Sequence, residues 1–295
     1  MRVAMIGLGD IARKAYLPVL GTRADVQLAF VTRSTATLDE LGAAWRIDRL
    51  HTDLEEALAQ GLDAAFVHAA TEVHPHIVRR LIEAGVPTLV DKPIADTLEA
   101  SEILVDLAET RGVSLMVGFN RRHAPAQAEA AALNAPFVLM QKNRTGHADG
   151  VRRTVFDDFI HVVDSLRFLA PGAMDARVSG RLDGDLLEHV MLHLTGSNRD
   201  AVGIMNRVSG ANEEVLEVMG GGIKRRIVNL ADVTDFSGGE RLARRGDWTS
   251  VGRQRGFEAM IEAFLSAVRE DRRLSALDAL ETHRLCEQVV SELSA

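Results

Sequence analysis

Val3-Ala4-Met5-Ile6-Gly7-Leu8-Gly9-Asp10-Ile11-Ala12 opens the chain, and its reading decides the fold. The apolar run Val3–Ile6 predicts a strand, and the spacing within Ile11–Leu20 predicts a helix. Between them stands G-x-G-x-x-A. Gly7 permits a tight turn, Gly9 lets the backbone approach a pyrophosphate, and Ala12 is small enough for close packing of helix on strand. Asp10 and Ile11 fall at the helix start, where unpaired N–H groups favour an anion. The motif alone is weak evidence; what gives it weight is its place after a strand, before a helix and ahead of a repeating βαβ rhythm.

That rhythm runs to about residue 120. Strands are expected at Val3–Ile6, Val26–Val31, Ala64–Val67, Thr88–Val90 and Leu115–Val117, alternating with helices at Ile11–Leu20, Leu38–Trp45, Leu54–Ala59, Ile77–Ala84 and Leu98–Arg111. Alternation of this kind implies right-handed crossovers and a doubly wound parallel sheet. Beyond residue 120 a helix is expected at Pro125–Leu133, a strand at Phe137–Gln141 and a helix at Phe156–Leu169. Consecutive strand-like runs follow: Arg177–Leu182, Leu187–Leu194, Ala201–Val208, Val215–Met219 and Ile223–Leu230. Helices at Phe257–Arg269 and Leu277–Leu293 close the chain. The expected class is α/β: a Rossmann domain over 1–120, then an α+β domain over 121–295 with a mixed, largely antiparallel open sheet.

Composition narrows the functional classes. The chain has 295 residues, 46% hydrophobic and 26% charged, a mix that excludes disordered and collagen-like proteins. No uncharged apolar run approaches the roughly 18 residues of a membrane span, and the N-terminus has no secretory leader. A net charge of −8 argues against nucleic-acid or anionic-membrane partners. The single cysteine, Cys286, sits at helical core spacing, so a buried thiol in a reducing cytoplasm is expected.

The end of the second strand bears on the cofactor. NAD enzymes commonly place an acid there to hold the ribose hydroxyls. This chain reads Val31-Thr32-Arg33-Ser34. A guanidinium flanked by hydroxyls suits a 2′-phosphate, so NADP is favoured, with NAD as the alternative. Asp91-Lys92-Pro93 follows the expected strand Thr88–Val90, at the sheet edge where doubly wound folds hold ligands. Asp157 and His161 stand four residues apart on an expected helix, a spacing that stacks them on one face.

Four motifs in this order resemble the Gfo/Idh/MocA family, named for glucose–fructose oxidoreductase, inositol dehydrogenase and rhizopine catabolism. They are the Gly7–Ala12 fingerprint, Asp91-Lys92-Pro93, Met116-Val117-Gly118-Phe119-Asn120-Arg121-Arg122 before Pro125, and Asp157-Asp158-Phe159-Ile160-His161-Val162-Val163-Asp164. The likeness spans the chain and is nearest to the MviM-like branch, through Val67-His68-Ala69-Ala70-Thr71. The second motif carries Asp where the family has Glu.

The resemblance implies an oxidoreductase acting on a small polar metabolite such as a sugar or cyclitol, with Lys92, Asp157 and His161 as its catalytic set. His161 takes a substrate proton while hydride leaves carbon, Asp157 orients the imidazole, and Lys92 steadies the substrate oxygen. Arg122, Phe159 and Asp164 join the expected substrate contacts, although a structural role is favoured for Arg122, a packing role is open to Phe159, and Asp164 is expected to orient either the substrate or a neighbouring side chain. Ala70, Thr71 and His76, with Asp91 and Lys92, join the expected cofactor contacts. No metal site is expected; His74-Pro75-His76 has no third ligand nearby, and His189 with His193 reads as a sheet-face or interface pair. A homo-oligomer, dimer or tetramer, through the C-terminal sheet is also expected. Two other readings stand beside this one: a non-catalytic dinucleotide-binding sensor, and an NAD-dependent redox-assisted glycosidase.

Overall fold

Six parallel strands organise the first part of the chain: β1 (Arg2–Ile6), β2 (Gln27–Val31), β3 (Arg49–His51), β4 (Ala64–Val67), β5 (Thr88–Val90) and β6 (Leu115–Val117). Their order is β3-β2-β1-β4-β5-β6. All four residues of β4 are fully buried, as expected of a parallel strand covered on both faces. The order reverses beside β1, whose neighbours are β2 and β4. The carboxyl ends of β1 and β4 therefore flank the crevice where such sheets take ligands. Only β3 lies outside the sequence expectation. Its Arg-Leu-His sequence has no strand pattern, and it is made by pairing of Ala29–Val31 with Arg49–His51.

The computed structural model describes residues 1–172 and 175–294. The chain forms two compact units, Met1–Gly118 with Phe257–Leu280, and Phe119–Gly256 with Glu281–Ala295. This differs from the division into 1–120 and 121–295 over Phe257–Leu280, which groups with the first unit. Helix Phe257–Arg269 belongs to the first unit, where Phe257, Met260, Ile261, Phe264 and Leu265 share a core with Tyr16, Leu17, Leu20 and Phe66. Phe66 and Phe264 meet edge to face, with centroids 5.1 Å apart. A helix with so wide an apolar stripe must bury it somewhere, and sequence distance does not say where.

The second unit holds a nine-stranded sheet: β7 (Phe137–Asn143), β8 (Asp149–Gly150), β9 (Asp175–Asp183), β10 (Leu186–Thr195), β11 (Asp200–Asn206), β12 (Glu213–Gly220), β13 (Ile223–Val228), β14 (Asp232–Phe236) and β15 (Glu240–Ala243). The order is β15-β14-β13-β12-β7-β11-β10-β8, with β9 also on β10. It is mixed, since β7 runs parallel to β11 and antiparallel to β12. One face carries Val138, Met140, Val190, Leu192, Ala201 and Met205, all buried. Helix Ile160–Leu169 packs there over Gly203, where a Cβ would come within 2.6 Å of Val162 and 2.8 Å of Leu166. The polar strands β14 and β15 are absent from the sequence expectation, because hairpin pairing makes them. The expected run Ile223–Leu230 stops at Val228, since Asn229 and Leu230 take positive φ of 52° and 58°. Among the described residues, no helix is long and apolar enough to cross a membrane.

Candidate active site

In the first unit the glycine turn joins β1 to its helix. Gly7 has φ 83°, and a Cβ there would lie 2.5 Å from Ala69 N, so the turn rests directly on the segment after β4. The Gly7 N–H donates to Val31 O at 2.9 Å. At Gly9 a Cβ would meet nothing within 4 Å, which leaves bare backbone open to a pyrophosphate. Ala12 is buried at 1% exposure, and Ile11 is 39% exposed. The exposed Asp10 pairs with Lys14 at 2.7 Å. Thr32 N donates to His51 O at 3.1 Å. Arg33 is exposed. Ser34 caps helix Thr35–Trp45, its Oγ accepting from Thr37 N at 3.2 Å and Thr37 Oγ1 at 3.0 Å. The hydroxyl proton of Ser34 stays available to a ligand.

The loops after β4 and β5 are tied by a residue the sequence reading set aside. His74 is 1% exposed; its Nδ1 lies 3.0 Å from Pro93 O and its Nε2 2.9 Å from Ala69 O. Both ring nitrogens therefore face backbone carbonyls, one from each loop. His76, the expected cofactor contact, stands exposed on helix His74–Glu83. Ala70 is exposed, and Thr71 begins a short 3₁₀ turn ending at Val73. Asp91 Oδ1 accepts from the Lys92 N–H at 2.8 Å, and the Lys92–Pro93 peptide is cis. Burial raises the Asp91 carboxyl above its usual range, against the pull of Lys92 and that hydrogen bond.

Behind this edge lie two further polar groups the sequence reading missed. Tyr16 and His68 stack with ring centroids 3.9 Å apart. The Tyr16 hydroxyl and both His68 nitrogens are buried with no hydrogen-bond partner among the described residues. Burial, reinforced by His74, lowers His68 to about 3, so its ring is neutral at ordinary pH. No spacing rule finds such a pair, because Tyr16 and His68 come from different elements.

In the second unit the segment Val155–Phe159 winds as a π-helix before Ile160–Leu169 continues as an α-helix. The expected α-helical stacking of Asp157 on His161 therefore does not hold as drawn. Such wide turns recur at functional sites. The Asp157 side chain is 52% exposed and lies 3.6 Å from Arg153. His161 is partly buried, and its carbonyl accepts from Ser165 Oγ at 2.7 Å. Phe159 is fully buried, so it fills the core rather than narrowing a pocket. Asp164 is 1% exposed and is held by Arg122 Nη2 at 2.6 Å and Thr282 Oγ1 at 3.1 Å. Its expected substrate contact is thereby corrected, and Arg122 takes the structural role. Cys286 is buried, and burial raises its thiol well above the usual value.

Asp158, next to the expected acid, is the more deeply engaged carboxylate. It receives Arg207 Nη1 at 2.6 Å and Arg144 Nε at 3.1 Å, and it also pairs with Lys142. These cations outweigh burial and hold its carboxyl at about 2. Lys142 is brought down to about 7, chiefly by burial and then by Arg121, against the pull of Asp158. Arg121 grips Glu214 through Nε at 2.7 Å and Nη2 at 2.6 Å. The sequence signal was Gln141-Lys142-Asn143 at the end of β7 with Arg144 just beyond it, visible only once strand alternation turns Lys142 inward.

Comparison with known proteins agrees with this layout. Residues 1–119 match the model described as "Oxidoreductase family, NAD-binding Rossmann fold", and residues 125–237 match "YceM-like, C-terminal domain". The chain is 35% identical over 291 residues to YceM of Salmonella typhimurium, covering 91% of this chain and 90% of that protein. It is 31% identical over 254 residues to the myo-inositol dehydrogenase Hyg17 of Streptomyces leeuwenhoekii, covering 84% and 67%. A Gfo/Idh/MocA family oxidoreductase from Vibrio cholerae superposes with TM-score 0.93 at 30% identity, covering 100% of both chains. A dehydrogenase (MviM) from Clostridium difficile gives 0.92 at 30%, covering 99% of both.

Proposed function

The chain belongs to the Gfo/Idh/MocA family of oxidoreductases, and from that premise we propose an NADP-dependent enzyme acting on a hydroxyl or carbonyl carbon of a small sugar- or cyclitol-like metabolite. The observation that carries the cofactor reading is the end of β2. No carboxylate stands in Thr32-Arg33-Ser34, and Arg33 is exposed. The open backbone at Gly9 supports a pyrophosphate beside the glycine turn. The substrate class is supported by Hyg17, named a myo-inositol dehydrogenase.

When bound, the nicotinamide supplies the hydride acceptor or donor. The Lys92 Nζ holds the substrate oxygen and stabilises charge developing on it. A ring nitrogen of His161 takes the hydroxyl proton in oxidation and returns it in reduction. His68, neutral and buried, takes no part in proton exchange.

Titration of NADPH and NADH against wild type and Arg33→Ala tests the reading. NADPH should bind more tightly to wild type and lose about tenfold or more in the variant, with NADH unchanged. Equal affinities would remove the NADP preference, and binding of neither would remove the oxidoreductase. Lys92→Ala and His161→Asn should keep NADPH binding and lose about 100-fold or more in turnover.

We also infer that the open face of the second sheet pairs two copies of the chain. Met191 is 41% exposed and sits opposite Ile204, beside Val202 and Leu139 on the same face. Light scattering should find an oligomer that Met191→Lys reduces to monomer; a wild-type monomer removes the inference.

A further inference from the structure

A cleft of about 480 Å³ lies wholly within the second unit, lined by Arg121, Arg144, Arg245 and Arg255 together with Glu213 and Glu214. Its volume suits a small molecule rather than a bare ion. Both lining carboxylates already have partners. Arg121 grips Glu214 with two hydrogen bonds, and Asn143 Nδ2 donates to Glu213 at 2.9 Å. Arg144 shares Asp158 with Arg207 and Lys142. Arg245 donates to the neutral Gln254 Oε1 at 2.5 Å. Neither Arg245 nor Arg255 pairs with a carboxylate among the described residues. The backbone at Arg255 is fixed, since its carbonyl accepts from the buried Asn120 Nδ2 at 2.8 Å. Even without Lys142, five guanidiniums stand at and beside the cleft, Arg207 included, against Asp158, Glu213 and Glu214; Asp164, which also acts on Arg121, is already held by Arg122. This local excess of positive charge stands in a chain of net charge −8.

We propose that this cleft is an oxyanion subsite that takes the phosphate or carboxylate group of the enzyme's substrate. Guanidinium forks match the planar edge of a carboxylate or phosphate. Arg245, bonded to a neutral amide, and Arg255, which acts on Glu214 without a direct hydrogen bond to it, give the group somewhere to bind at the rim. Arg144 connects the cleft to the helix of the site, because it bonds Asp158, the chain neighbour of Asp157. The substrate would then be an acidic or phosphorylated polyol rather than a neutral one. That identity of the occupant rests on the oxidoreductase reading above; the anion site does not.

Calorimetric titration with inorganic pyrophosphate and, separately, malonate tests it, on protein first saturated with NADPH so that the glycine turn of the first unit is already filled. The proteins are wild type, Arg245→Ala/Arg255→Ala and the control Arg79→Ala, which removes an exposed charge from the first unit. Wild type and the control should bind at least one probe equally. The double variant should bind it about tenfold more weakly or worse, with unchanged melting temperature. Preference for pyrophosphate assigns a phosphorylated substrate, and preference for malonate a sugar acid. Equal binding by the double variant, or no saturable binding to wild type, overturns the subsite. NADPH titration of the same proteins before saturation separates the two readings. Retained NADPH binding beside a failed anion test removes the subsite alone, while lost NADPH binding removes the oxidoreductase.

Discussion

Around their candidate site residues the two units bury polar chemistry in opposite ways, although Gln127 in the second unit is also buried with its amide unpartnered among the described residues. The first holds neutral groups without partners, Tyr16 and His68, behind the sheet edge that carries Lys92. The second holds charges with an abundance of partners, Asp158 among Lys142, Arg144 and Arg207 and Glu214 on Arg121. A buried neutral group loses only the hydrogen bonds it fails to make, whereas a buried charge requires its counter-charge. The first region should therefore tolerate loss of its polar atoms, and the second should not.

The largest expected effect is Asp158→Asn. It leaves three cations crowded without their carboxylate, and urea denaturation should show a loss of about 3–5 kcal/mol. A loss below about 1 kcal/mol would mean that the cluster is solvated and the contrast between the units false.

Acid should separate the units next. His68 binds a proton near pH 3 when folded but near 6.5 when unfolded, so between these values the unfolded state holds more protons. Its contribution is complete above pH 6.5 and falls by about 1.4 kcal/mol per unit below it, or about 2 kcal/mol by pH 5. Asp158 is likewise lowered, from 3.8 to about 2, so its contribution is lost only as pH falls through that lower window. Stability measured from pH 7 to pH 4.5 should decline in wild type and decline less steeply in His68→Leu, the remaining slope coming in part from His123, which burial and Arg122 also lower. An unchanged slope would place the acid sensitivity elsewhere.

The smallest effect is Tyr16→Phe. Removing an unpartnered hydroxyl should leave stability unchanged or raise it by up to about 1 kcal/mol in a thermal melt. A loss above about 1 kcal/mol would reveal a partner for the hydroxyl, such as an ordered internal water, and would sharpen the contrast by making the first region a satisfied network.

Local pattern determined much of this protein. Gly7-Leu8-Gly9, the alternation up to Leu115–Val117 and the apolar periodicity of Phe257–Arg269 specify the elements directly, because turn chemistry and amphipathicity act over a few residues. Tertiary structure decided the rest. It drew Phe257–Arg269 back to the first unit, made β3, β14 and β15 by pairing, and turned Val155–Phe159 into a π-turn. It also set His74 between two carbonyls, enclosed Asp164 with Arg122, and brought Lys142, Arg144 and Arg207 onto Asp158. The physical reason is the same throughout. A residue's partner across the fold depends on which faces become buried together, and that is a property of packing rather than of spacing along the chain.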